Sequence, residues 1–511
     1  MNGGKKIRRM TAAMLGICLT AMLSGCAGGK NEEKPAAPTL PPANVSVQAP
    51  DGDRSVRGTR EYSVYAFLPE ENPSQLTVTN LELKEQSGLQ ETAEELVRTL
   101  LEVTSQGSDE TPVLSLYQEQ EPEISGGICT VNLAPSALKM ENKERYWLSV
   151  ALATTLCALD EINGVNVLIA GQSVALDTSG NLAMGTLTGH PGENLQGLWE
   201  HMDARKAPLG NDISQTALTT AATVYYPLAD GRGIGCECQT LTFPGQTPDQ
   251  LAETMITALN DTMKRRCGDE KLPALEKYMR SSPVVTPRND GGRIVNVTFQ
   301  ENIQDLLDRW DTDLPCLAAA ITCTMTTFIP GVTEVSIRIG DKPVTEMSNS
   351  RYSIGTVLGG LFHRSEAVIF LTGSVKAFFE KDGKLTVCEK SLEREQADNP
   401  RAILKALLEG PDRREKENGV LATLPDDVTD DDILGIAADG DMLLVNLSAG
   451  FQEKILRYGR EREALLCYSM VNTLCINTGM KRVCFFFENG QVENIAGDIY
   501  WSGEFMYNPG L

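Results

Sequence analysis

Residues 399–411 read NPRAILKALLEGP and residues 433–447 read ILGIAADGDMLLVNL; these two runs decide the fold. Asn399 suits a helix N-cap, and Pro400 suits the first turn, where a missing N–H costs nothing. Ile403, Leu404, Leu407 and Leu408 then share one face at helical spacing. Gly410-Pro411 ends the helix, because Gly suits its C-terminal end and Pro cannot continue it. Two apolar runs follow around Asp439-Gly440-Asp441, and Gly tolerates the positive φ of a tight hairpin turn. Ala464, Tyr468, Val471 and Cys475 mark a second helix, and Arg482 to Phe487 a last strand before Asn489-Gly490. The order is helix, hairpin, helix, strand.

Two earlier stretches repeat it. In the middle one, Leu251, Met255, Ile256 and Leu259 mark the first helix, and Val284-Val285 and Ile294 to Val297 flank Asp290-Gly291-Gly292. Leu317, Ile321, Met325 and Phe328 mark its second helix, and Val335 to Ile339 its last strand. The first stretch has Leu96, Val97, Leu100 and Leu101, then a strand at Val113 to Leu116. Gly126-Gly127 precedes Cys129 to Leu133; Leu148, Leu152, Leu156 and Leu159 follow, and Val165 to Ile169 closes the stretch. Val-Asn recurs after each turn, at Val131-Asn132, Val295-Asn296 and Val445-Asn446. A short strand is expected to open each stretch, at Val64 to Leu68, Val224 to Leu228 and Val368 to Leu371. The period far exceeds that of a solenoid, so these are tandem domains, each able to bury its own core.

The helix ending in Leu-Leu-Glu-Gly-Pro at 407–411, then Leu424-Pro425, Val445-Asn446-Leu447-Ser448 and the final strand, resembles a GerMN domain, the module of the GerM family of sporulation and spore-germination lipoproteins. The third stretch matches best; the second is the most diverged, with Thr298 set against Ser448. The resemblance implies an α+β fold of three small α/β-sandwich domains, each a mixed sheet with two helices packed on one face, similar to the ring-building domains of sporulation machinery. The other sheet face would then be open to a partner, and exposed edges are natural association sites. Three copies depart from the two-domain arrangement associated with GerM itself.

The 511-residue chain has room for about three domains. Its net charge of −23 argues against nucleic acid, whose phosphates need Lys and Arg. Lys5, Lys6, Arg8 and Arg9 precede an apolar run from Met10 to Leu23, the layout of a secretory signal, too short to span a bilayer comfortably. It ends in Leu23-Ser24-Gly25-Cys26, which resembles a bacterial lipobox; the resemblance implies cleavage before Cys26 and its lipidation, and so an extracytoplasmic protein anchored to the cell membrane. A proline-rich segment of low hydrophobicity follows and reads as an extended tether that holds the first domain off the membrane. The expected organisation is signal peptide 1–25, tether 26–60, first repeat 61–176, linker 177–215, second repeat 216–345, linker 346–364 and third repeat 365–511. Related phrases at 182–187, 352–357 and 500–505 read as a last hairpin arm of each repeat, which would shorten the linkers.

No catalytic constellation emerges. Of eleven cysteines beyond Cys26, most fall inside helices or strands as small apolar side chains. Cys236-Glu237-Cys238 would point its thiols to opposite strand faces, a poor zinc geometry. His190, His201 and His363 lie in the linker regions, and the acidic residues 426–432 lack the central Gly of a calcium loop. No cofactor or metal is expected. The sequence thus points to a non-catalytic envelope lipoprotein acting by assembly in sporulation or germination, with envelope or sporulation proteins, or its own copies, as partners. The alternative is an envelope lipoprotein that holds a wall polymer, peptide or other ligand.

Overall fold

The structure is a computed structural model; it describes residues 48–54, 60–68, 75–83, 88–106, 111–206, 212–269, 271–497 and 499–511. Leu23, Ser24, Gly25 and Cys26, read above as resembling a lipobox, lie outside them. Residues 48–511 pack as one body. The buried apolar side chains form three clusters, within 64–202, 128–371 and 375–505. The fold is α+β throughout, and the clusters define the first, second and third units below.

The first unit opens with an antiparallel hairpin of β1 (Arg60–Ala66) and β2 (Thr77–Leu83). Helix α1 (Leu89–Gln106) follows, then a sheet of β3 (Glu123–Ser125), β4 (Ile128–Leu133) and β5 (Gly164–Ile169), with α2 (Asn142–Leu156) crossing over between the parallel pair β4 and β5. Helix α3 (Leu195–Asp203) closes the unit. In α2, Glu141 and Glu144 form a reciprocal capping box, which satisfies donors that a helix start otherwise leaves unpaired.

The second unit repeats the succession: hairpin β6 (Leu218–Pro227) and β7 (Ile234–Phe243), helix α4 (Pro248–Cys267), hairpin β8 (Val284–Pro287) and β9 (Arg293–Phe299), then α5 (Gln304–Trp310), α6 (Leu314–Phe328) and β10 (Val332–Ile339), parallel to β9. Helix α6 is buried over almost its whole circumference, as expected for an apolar helix enclosed on all sides. Beyond it, β11 (Lys342–Pro343) and β14 (Leu361–His363) pair with β10, β12 (Glu346–Ser348) pairs with β13 (Ser353–Thr356), and α7 spans Arg364–Ala367.

The third unit has hairpin β15 (Thr372–Lys381) and β16 (Lys384–Glu393), helices α8 (Pro400–Leu408) and α9 (Arg413–Glu417), and hairpin β17 (Ile433–Asp439) and β18 (Met442–Leu447). Helices α10 (Ala449–Tyr458) and α11 (Arg460–Thr478), then β19 (Arg482–Phe487) and β20 (Glu504–Met506), complete the sheet β17-β18-β19-β20. The Asn399 side chain accepts from the N–H groups of Arg401 and Ala402, as an N-cap should, and Gly440 takes φ +62° in the hairpin turn. Trp501 packs edge-on against Phe485 and Phe487, with centroids 5.3 and 5.5 Å apart, an arrangement aromatic quadrupoles favour.

Several expectations are corrected. The opening strand of the third unit is β15; Val368–Phe370 forms a 3-10 turn instead. In the first unit the hairpin arm is β3, and Leu116 makes only an isolated bridge to Leu133. Each opening strand has a hairpin partner that the sequence does not single out, because β7 and β16 mix apolar residues with half-exposed polar ones and show no clean alternation. The arm pairing with the last strand is β20 in the third unit and a single bridge at Leu187 in the first, but in the second it is β14, while residues 353–356 pair within β12–β13. Leu182, Leu195 and Met202, placed in a linker by the sequence, are buried in the first cluster.

The Val-Asn alignment also shifts. Ala170 N donates to Leu133 O, Gly340 N to Phe299 O and Glu488 N to Leu447 O, each at 2.9 Å. These equivalent bonds match Asn132 and Asn446 with Thr298, not with Asn296. A shift of two residues keeps a strand side chain on the same face, so the pattern looked right. Asn132 accepts from Gly171 N (2.9 Å) and Asn446 from Asn489 N (3.1 Å), each fixing the turn after the last strand. Asn296 instead donates across the hairpin to Val284 O (3.1 Å).

Candidate functional site

The first unit meets the second and the third at two junctions, and the junction with the second buries a polar network. Where the first unit meets the second, β6 covers the sheet face opposite α1 and α2. The expectation of an open face is therefore corrected for this unit. Asn166 on β5 donates to Thr223 on β6 (3.0 Å) and to Thr130 on β4 (3.2 Å), and its carbonyl accepts from Thr186 (2.9 Å). All four side chains are buried. Polar groups removed from water need such partners, and here each supplies another's.

The network ends in an ion pair. Arg364, on α7, reaches Glu123 on β3, and the same nitrogen donates to the Tyr225 hydroxyl (3.1 Å); its other terminal nitrogen donates to Thr327 Oγ1 and to Cys323 O (3.3 Å). Arg364 is 5% exposed and Glu123 14%. Burial alone would lower the guanidinium pKa, but the Glu123 and Tyr225 oxygens more than offset it and the group stays charged. Burial pushes the Tyr225 hydroxyl up to about 12, keeping it neutral and able to donate. Sequence reasoning missed this pair: Glu123 and Arg364 are 241 positions apart, and Arg364 fell in an expected linker.

The first and third units meet differently. Between them lies a cleft of about 690 Å³. Its first-unit wall includes Gly126, Gly127, Glu161 and Asn163; its third-unit wall includes Met480, Lys481 and Tyr507; β15 crosses at Gly373 to Lys376. Asn477 clamps β15 by accepting from Lys376 N (2.8 Å) and donating to Lys376 O (2.9 Å). Hydrogen bonds cross this junction: Asp398 accepts from Leu89 N (2.9 Å) at the start of α1, and Ser125 Oγ donates to Thr372 O (2.7 Å). A Cβ on Gly479 would lie 2.6 Å from Glu161 Oε1, so the walls touch there. Carboxylates (Asp160, Glu161, Glu389, Asp398) and cations (Lys376, Arg394, Lys481) are interspersed, so the cleft selects no single charge. It can hold an extended polar chain with apolar stretches.

The remaining candidates are structural. Burial raises the thiols, Cys236 and Cys323 to about 12 and Cys475 to about 11, so they are protonated and poorly nucleophilic at neutral pH. Cys236 is buried and Cys238 exposed; two positions apart on β7 they share one strand face, so the expectation of opposite faces is corrected. His190 sits 3.3 Å from Glu193 and His363 3.3 Å from Glu334, while His201 lies in the last turn of α3. The acidic loop is paired internally: Asp427 with Arg457, Asp430 with Arg401, Asp432 with Lys454. Among the described residues no group of three or more His, Cys, Asp or Glu could hold a metal ion, and no helix is long and apolar enough to cross a membrane.

Residues 377–493 match the profile of the Germane family, described as sporulation and spore germination. The match runs from β15 through β19. The match lies within the third unit. Two solved structures are similar to the chain. One is the tandem GerMN domains of the sporulation protein GerM from Bacillus subtilis, 15% identical, covering 57% of this chain and 98% of that one, with a TM-score of 0.21. The other is a Clostridium perfringens chain described as a lipoprotein, 18% identical, covering 26% of this chain and 87% of that one, with a TM-score of 0.19. No curated protein sequence matches.

Proposed function

We propose that the chain is a non-catalytic, membrane-anchored lipoprotein of the cell envelope that acts in sporulation or spore germination through protein–protein assembly. The observation that carries this reading is the Germane match over residues 377–493. The same succession of hairpin, helix, hairpin, helix and strand in the first and second units supports three units of one kind. In this reading Cys26, behind Leu23-Ser24-Gly25, carries the lipid, and the units dock envelope or sporulation proteins, or further copies of the chain. A membrane-fraction blot in growing and sporulating cells tests the timing; appearance only in sporulation is expected, and equal levels in both argue against the role. Cys26→Ala should leave the protein out of the membrane fraction. Crosslinking of the wild type should capture an envelope partner or a second copy; a protein that stays monomeric at high concentration and captures neither overturns assembly.

The cleft beside β15 favours a second reading, an envelope ligand such as a wall polymer or peptide held between the first and third units. Thermal stabilisation of the protein by wall fragments would favour it, because a ligand that binds only the folded state raises the melting temperature. No shift across a panel of such fragments would reject it.

A further inference from the structure

Residues 50–54, Pro-Asp-Gly-Asp-Arg, were expected to be part of a tether leading to the first unit. They lie instead along the outer edge of β17 in the third unit. Arg54 N donates to Ile436 O (2.8 Å), and Ala438 N donates to Arg54 O (3.1 Å), a short parallel ladder. The Asp53 carboxylate accepts from Ile436 N (3.0 Å) and takes two nitrogens of Arg401, the forked geometry in which guanidinium binds carboxylate well. Arg401 is held for this by Asp430 (3.1 Å) and the Ile433 carbonyl (3.0 Å). Asn446, 1% exposed, donates to Pro50 O (3.1 Å).

Gly435 completes the fit. The pairing of β17 with β18 shifts between Ile433 and Gly435, and a Cβ on Gly435 would stand 2.8 Å from Gly52 N and 2.9 Å from Pro50 O. The groove therefore has the parts of a strand-addition site: free edge groups for main-chain bonds, a cation for an acidic side chain and a glycine that admits close backbone approach. We propose that this edge is a docking groove for an extended acidic segment, that its occupant is residues 50–54 of the same chain, and that the arm so fixes the third unit, not the first, where the amino-terminal segment joins the folded body. This goes beyond the assembly reading and does not depend on it.

Hydrogen exchange on the full-length protein tests the proposal, read at Arg54, Ile436 and Ala438, with α11 and β18 as an internal control for folding. Asp53→Ala removes the carboxylate shared by Ile436 and Arg401. Gly435→Val fills the space of Gly52 with a residue suited to a strand. Both variants should speed exchange at the three amides by about tenfold or more while the control elements stay protected. Should Gly435→Val also lose control protection, Asp53→Ala alone decides. An unprotected Arg54 amide in the wild type, or unchanged protection in Asp53→Ala, overturns the proposal. Protection that grows with protein concentration would identify a second copy's arm as the occupant and overturn the same-chain assignment.

Discussion

The first unit faces two neighbours, and its two junctions are built on opposite plans. Against the second unit, polar side chains are buried and paired, from Asn166 and Thr223 to Arg364 and Glu123. Against the third, the walls part into a cleft with charges of both signs, bridged by the Asp398 cap on Leu89 N and by Ser125 to Thr372 O. The contrast teaches where rigidity resides. A buried polar network keeps its hydrogen bonds in one relative position only, because any slip strands a group away from water. A cleft open to solvent loses little when it widens, because water replaces each contact. The first and second units should thus move as one piece.

The strongest way to break this comparison is to cut the ion pair. Arg364→Met leaves Glu123 buried without its partner and should cost about 3–5 kcal/mol in urea unfolding. Adding Glu123→Gln should recover part of that loss; a single variant as stable as wild type would mean that water reaches this junction too. Asn166→Ala should cost about 1–3 kcal/mol, because Thr186 and Thr223 each lose a partner in a dry site.

Acid sharpens the contrast through Asp432 in the third unit. Burial pushes the Asp432 carboxyl upward, but Lys454, Thr429 N and Ser448 outweigh it and hold its pKa below the usual carboxylate range. A depressed pKa means stability that is present above the ordinary carboxylate value and lost as pH falls through the folded one. Asp432→Asn should lower the stability of the third unit at neutral pH and flatten its fall in acid, as followed by Trp501 fluorescence; an unchanged pH profile would remove Asp432 from the account. The smallest effect is expected at the cleft, where Asp398→Ala should cost only about 0.5 kcal/mol, since water can cap α1 in its place. A loss as large as that from Arg364→Met would abolish the distinction between the junctions.

What could be read from the sequence was local. Asn399, Pro400 and Gly410 bound α8, and Gly440 marks a hairpin, because caps and turns depend on residues a few positions apart. The partner strands β7 and β16 escaped notice because apolar and polar residues mix along them, with Cys238, Thr240 and Thr242 exposed on one and Lys384, Glu389 and Glu393 on the other. The repeat of Val-Asn misled by two residues, a shift invisible to face patterning. Nothing local announces that Arg364 will meet Glu123, or that Asp53 will meet Arg401; such pairings exist only once the units have packed. The lipobox-like run Leu23-Ser24-Gly25-Cys26 is the reverse case, legible in four letters and outside the described residues.

The arm on β17 also carries a consequence for the order of events in folding. Asp53 and Ile436 are 383 positions apart, so a chain synthesised from its amino end presents the arm long before its groove exists. The first unit can gain its cover once β6 emerges, but the arm must wait for the third unit. Contacts between distant parts of a chain form late, because ordering the intervening residues has to come first. Until then, residues 50–54 and the β17 edge are two unpaired ends of one bond, and a neighbouring molecule at the same stage offers the same two ends.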